Sequence, residues 1–118
     1  MKTKLIIVEN DDVWKFLFQE LLQKIPDVVV VGEFERAEAA LEQIPQLLPD
    51  LAIVDISLPG MSGLAFAEEM RKYPATRIIF VTSHQQEYRS QLHSKEFQVV
   101  DKGETGLIRD AIERAMAK

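Results

Sequence analysis

The chain has 118 residues, of which 47% are hydrophobic and 28% charged, with a net charge of −5 and no cysteine. This length suits one domain around one core, so residues 1–118 are expected to form a single domain. The acidic balance argues against direct nucleic-acid binding, which draws on surplus lysine and arginine. Without thiols there are no disulfides, thiolate metal sites or cysteine catalysis.

The opening Met-Lys-Thr-Lys leads into only four apolar residues, Leu5 to Val8. A signal-peptide core or membrane span needs a far longer apolar run, so a cytoplasmic protein with no membrane contact is expected. Leu5–Val8 instead reads as a first strand, followed by a first helix over about Asp12–Ile25. That helix carries Trp14, Leu17, Phe18, Leu21, Leu22 and Ile25 on one stripe, with Asp12 as its expected N-cap and Pro26 as its stop. Trp14 and Phe18 read as core, and Phe16 falls off the stripe as an exposed residue.

The alternation continues. Val28–Val31 is a second β-branched run, and a second helix is expected over about Arg36–Ile44, closed by Pro45. Leu51–Val54 is a third strand, followed by a helix from Gly63 to about Tyr73 with Leu64, Ala67 and Met70 facing inward. Ile78–Val81 and Phe97–Val100 are the fourth and fifth strands. The fourth helix, near Gln86–His93, is almost entirely polar, whereas the fifth, about Thr105–Ala117, has Leu107, Ile108, Ala111, Ile112, Ala115 and Met116 at helical spacing.

Continuous apolar runs suit strands buried on both faces, and strict strand–helix alternation implies right-handed crossovers between parallel strands. The expected fold is therefore α/β, a doubly wound, five-stranded parallel sheet with helices on both faces, and at this size the flavodoxin-like order 2-1-3-4-5 is the leading choice by analogy. Such a sheet carries function at the carboxyl ends of strands 1 and 3, where the winding reverses.

Polar residues gather at those ends. Strand 1 runs into Glu9-Asn10-Asp11-Asp12, strand 3 into Asp55, strand 4 into Thr82-Ser83 and strand 5 into Asp101-Lys102. Carboxylates crowded into one crevice need a cation or raised pKa values to persist. Hard oxygen ligands without cysteine or a nearby histidine favour Mg²⁺ over zinc. A lysine, a hydroxyl and an acidic cation site together suit phosphoryl transfer to a carboxylate nucleophile.

Three segments carry a family resemblance. Asp55-Ile56-Ser57-Leu58-Pro59-Gly60-Met61-Ser62-Gly63 resembles the phosphoacceptor loop of the receiver domains of bacterial two-component response regulators. Ile78–Ser83 is similar to that family's apolar strand ending in a hydroxyl and a small residue, and Val99-Val100-Asp101-Lys102 to the strand ending in its lysine. The resemblance spans essentially the whole chain.

It implies a phosphorylation-dependent signalling switch without turnover catalysis, in which Asp55 accepts a phosphoryl group from a sensor histidine kinase or phosphotransfer protein. Mg²⁺ would be held by Glu9, Asn10, Asp55 and the backbone carbonyl of Ser57. Lys102 would pair with the phosphoryl oxygens and Thr82 would hydrogen-bond one of them. The signal would leave through the face of helix 4, strand 5 and helix 5 to a downstream effector or fused output domain, and a phosphorylation-linked homodimer is a further expectation.

Three positions depart from the family pattern. Asn10 stands where a metal-ligating aspartate is usual, and Asp11 could compensate only by a shift at the strand end. Val99 replaces a switch aromatic for which Phe97 has the wrong parity, and Lys102 is followed by Gly103 instead of proline, as in receivers that precede helix-turn-helix output domains. The alternative is thus a pseudo-receiver that binds partners without phosphorylation. A phosphatase of the haloacid-dehalogenase type is disfavoured because Ser57 holds the place of its second aspartate. A flavin carrier is disfavoured by the acidic first loop. In isolation Asp55 reads as a loop or cap residue, Thr82 as an ordinary strand-end residue and Lys102 as solvated surface, and His84 and His93 read as surface.

Overall fold

In a computed structural model that describes residues 2–83 and 98–117, five parallel strands form one sheet in the order β2-β1-β3-β4-β5. They are β1 (Thr3–Val8), β2 (Val28–Phe34), β3 (Leu51–Asp55), β4 (Arg77–Thr82) and β5 (Gln98–Asp101). Among the described residues four helices accompany them: α1 (Asp12–Gln23), α2 (Ala37–Leu47), α3 (Gly63–Glu69), extended by a single 3₁₀ turn at Met70–Lys72, and α4 (Thr105–Met116). The helix expected at Gln86–His93, both histidines and Phe97 lie outside the described residues, so α4 is the helix expected fifth.

Alternating side chains of the central strands divide between two cores, as the pleat requires. Ile6, Val8, Ala52, Val54 and Phe80 pack with Ala37, Ala40 and Ile44 of α2 and with Phe66 and Ala67 of α3. Leu5, Ile7, Ile53, Ile79 and Val81 pack on the opposite face with Phe18 and Leu22 of α1 and Ile108, Ala111 and Ile112 of α4. Phe66, which the expected inward face of α3 left out, is fully buried. Burial on that scale contributes up to about 3 kcal/mol for one such side chain.

Several local expectations change. Asp11, not Asp12, caps α1: its Oδ1 accepts from Val13 N at 2.9 Å and Trp14 N at 3.3 Å. Asp12 is the first helical residue, where its charge favours the helix N-terminus without capping it. Pro45 does not close α2, which continues to Leu47 and ends at Leu48 in the left-handed conformation, φ 46°. Proline removes one N–H, but the burial of Ile44 and partial burial of Leu47 reward a further half-turn. Leu17 and Leu107 are 39% and 49% exposed, since each helix buries a narrower stripe than its full apolar periodicity.

Candidate functional site

Register brings the polar strand ends to one crevice. Val8 of β1 pairs with Val54 of β3, so Glu9 follows β1 level with Asp55. Asp55 pairs with Val81, and Thr82 with Asp101, which sets Thr82 and Lys102 one and two residues beyond that level. The ladder runs one bond past each strand: Glu9 N donates to Phe34 O (2.8 Å), Ile56 N to Val81 O (3.2 Å) and Lys102 N to Thr82 O (3.0 Å). These bonds carry the polar side chains into the crevice on ordered backbone. Glu9, Asp55, Thr82 and Lys102 are the buried polar and charged residues of the described chain.

Lys102 joins the two acids. Its Nζ lies 2.7 Å from Glu9 Oε1 and 3.1 Å from Asp55 Oδ2, with the Lys102 side chain 7% exposed. The Asp55 contact is a directed hydrogen bond. The Glu9 contact is a close ion pair, with the ammonium set against a buried carboxylate oxygen. The remaining carboxylate oxygens each accept from a backbone amide two residues on, Asp55 Oδ1 from Ser57 N (3.0 Å) and Glu9 Oε2 from Asp11 N (3.1 Å). Two acids share one ammonium, so with all three ionised the crevice carries one surplus negative charge. Burial pushes the Glu9 carboxyl up from its ordinary value, the neighbouring Asp55 charge adds to that, and Lys102 opposes it.

The loop after Asp55 is held from two sides. Ser62 caps α3 through Oγ, which accepts from Ala65 N at 3.1 Å, and Gly63 N donates to Ile56 O at 2.9 Å. A Cβ at Gly63 would lie 2.7 Å from Asp55 O and 2.8 Å from Ile56 Cα, so only glycine lets α3 start this close to the Asp55 backbone. On the outer side Glu38 of α2 accepts from Met61 N through Oε2 (3.1 Å). Its own backbone amide and that of Met61 hold the Glu38 carboxyl below the ordinary range. Gly60, at φ 71°, turns the loop between these anchors.

The expected metal ligands come together only in part. Asn10 is exposed at the rim, Ser57 is exposed beside Asp55, and Asp11 Oδ1 is engaged as the α1 cap. Among the described residues no group of three or more His, Cys, Asp or Glu is arranged to hold a metal ion. The oxygens at hand, two carboxylates, an amide and a backbone carbonyl, suit a hard cation in kind but carry one charge fewer than a three-carboxylate site. Glu9 Oε1 already has the Lys102 ammonium at 2.7 Å, so a metal ion would draw on the other oxygens of the crevice.

Sequence reasoning missed two contributors. Trp14, read as core, lies under the lysine, with Lys102 Nζ 5.4 Å from its ring centroid. Glu38 carried no signal because its partner is a backbone amide 23 residues away. Val99 is half-buried against the core on the α2 and α3 face.

The model of the response regulator receiver domain family matches residues 5–106. A protein-glutamate methylesterase/protein-glutamine glutaminase of Syntrophus aciditrophicus is 38% identical over 79 residues, 66% of this chain and 23% of that protein. The chain spans about a quarter of the length of the curated relatives it matches. Among solved structures, the signal receiver domain of the response regulator NarL from Mycobacterium tuberculosis superposes with a TM-score of 0.81 at 25% identity, covering 99% of this chain and 98% of that one. RcsB from Salmonella enterica serovar Typhimurium, bound to a promoter in the presence of a phosphomimetic, gives 0.85 at 25% identity over 99% of this chain and 100% of that one. No helix among the described residues is long and apolar enough to cross a membrane.

Proposed function

Because the chain belongs to the response regulator receiver domain family, we propose that it is a phosphorylation switch whose acceptor is Asp55. The observation that carries this reading is the buried Asp55 carboxylate, met by Lys102 Nζ at 3.1 Å and Ser57 N at 3.0 Å beside a second buried acid. A carboxylate oxygen attacks phosphorus as the N–P bond of a phosphohistidine donor breaks. The result is an acyl phosphate on Asp55 and a free imidazole on the donor. Lys102 stays by the developing charge, passing its hydrogen bond from the carboxylate to the phosphoryl oxygens. Thr82, at the end of β4, supplies a hydroxyl to the same group and couples it to the sheet. A Mg²⁺ ion held by Asp55, Glu9, Asn10 and the Ser57 carbonyl would supply charge neutralisation for the incoming phosphoryl group.

The donor is a histidine kinase or phosphotransfer protein, and the outgoing signal passes to an effector or fused output domain. Incubation with acetyl phosphate and Mg²⁺ should add one phosphoryl group to the wild type by intact-mass analysis and none to Asp55→Ala. A folded wild type that never gains the adduct would overturn the reading.

One observation favours a second reading, a receiver that works without phosphorylation: Asn10 removes a charge at the rim and the Asp11 carboxylate is committed to α1. Acetyl phosphate labelling separates the two, and Asn10→Asp tests the metal contact. On the phosphoacceptor reading it tightens Mg²⁺ binding measured by titration, by roughly tenfold for one added charge near the ion. An unchanged affinity would place Asn10 away from the metal.

A further inference from the structure

Trp14 is the single tryptophan of the chain. It lies half-buried on α1, with its ring centroid 5.4 Å from Lys102 Nζ and 5.8 Å from the ring of Phe18, the planes of the two rings inclined at 37°. Phe18 is itself fully buried, so the indole is braced from beneath. The ammonium therefore has three neighbours: Glu9 Oε1 at 2.7 Å, Asp55 Oδ2 at 3.1 Å and the aromatic ring. A cation within about 6 Å of an indole face is attracted by the ring quadrupole, most strongly where water is excluded, and the Lys102 side chain is 7% exposed.

We propose that Trp14 is a positioning residue for Lys102, holding the ammonium at the crevice while its contact with Asp55 is exchanged for one with the phosphoryl group. The inference rests on the phosphoacceptor reading of Asp55. In the resting state two carboxylates fix the lysine. Once Asp55 is phosphorylated, the negative charge it offers moves outward to the phosphoryl oxygens, and a long four-carbon side chain must follow it. Glu9 and Trp14 do not change in that step. The acid sets the charge balance, and the indole occupies the side on which water would otherwise compete for the ammonium. A leucine at this position would fill space but offer no quadrupole, so packing alone and positioning make different predictions.

The test compares wild type, Trp14→Phe and Trp14→Leu for phosphorylation by acetyl phosphate at saturating Mg²⁺, alongside thermal unfolding. Trp14→Leu is expected to lower the maximal phosphorylation rate about three- to tenfold, within the range a cation–π contact supplies, and Trp14→Phe to recover much of the loss. Two readouts need no phosphodonor. Lys102→Met should change the emission of Trp14 in the folded protein, and the shifts in unfolding midpoint caused by Trp14→Leu and Lys102→Met should be non-additive. Folded Trp14→Leu protein that reacts at the wild-type rate overturns the proposal, as do additive midpoints with unchanged emission. A wild type that accepts no phosphoryl group overturns the phosphoacceptor reading and this role with it. In that case the emission and midpoint data show whether the contact itself stands.

Discussion

The two ends of the sheet use similar polar residues for opposite purposes. At the amino end, Asp50 Oδ2 accepts from Lys4 N (2.8 Å), Asp50 N donates to Lys4 O (2.8 Å), and Arg77 N donates to Asp50 O (3.0 Å). Lys4 Nζ donates to Leu47 O at 2.8 Å, capping the last turn of α2. The side chains there are exposed or half-buried and satisfy backbone groups that the strand ends leave open. At the carboxyl end Glu9, Asp55 and Lys102 are buried and face one another, with two acids for one base. Removing an ion from water costs several kcal/mol, whereas an exposed hydrogen bond contributes about 1 kcal/mol. A fold needing only closure would build both ends like the first. The carboxyl end bears a cost that folding does not require, and the proposed phosphoryl transfer would account for it.

That contrast can be broken or sharpened by experiment. The largest effect is expected from Lys102→Met, which leaves two buried carboxylates without a counter-charge. Urea unfolding at neutral pH should show a loss of about 3 kcal/mol or more, and adding Glu9→Gln should return part of it. A loss below 1 kcal/mol would mean that water already reaches the crevice. Asp50→Ala, at the other end, should cost about 1 kcal/mol and leave acetyl phosphate labelling of Asp55 unchanged. Slower labelling in that variant would break the separation of the two ends.

The smallest effect belongs to Glu38, which stands at the carboxyl end but is exposed, and so tests burial against location. Its carboxyl is held below the ordinary value of 4.5 by backbone amides. A lowered folded-state pKa contributes stability that is complete above the unfolded value and is lost as pH falls through the folded one. The Met61 amide should therefore keep its neutral-pH chemical shift down through the ordinary carboxylate range and move only below it. A Glu38→Gln variant should show no such transition. A Met61 amide that titrates at the ordinary glutamate value would show that the latch does not hold in solution.

Runs of four residues, four of the five followed by a polar residue, were legible because strands buried on both faces leave few other places for polar side chains. Glu9, Asp55, Thr82 and Lys102 were found this way, and the register brings their four strand ends together. The errors lie where neighbouring residues compete locally. Asp11 and Asp12 carry the same chemistry, and which one caps α1 follows from the backbone path out of β1, with φ −90° at Asp11. Pro45 is a helix stop by its own chemistry, yet the burial of Ile44 and Leu47 carries α2 past it.

Hydrophobic periodicity and strand-end chemistry are local and read in one dimension, so the class of fold and the residues offered to the crevice were legible along the chain, whereas the strand order was reached by analogy with folds of this size. Tertiary structure alone decided how those residues are engaged. Lys102 is divided between two acids and set over Trp14, Asp11 is consumed as a cap, and Glu38 reaches across 23 residues to a backbone amide. Such pairings depend on distances between segments remote in the chain, and spacing along the sequence does not encode them.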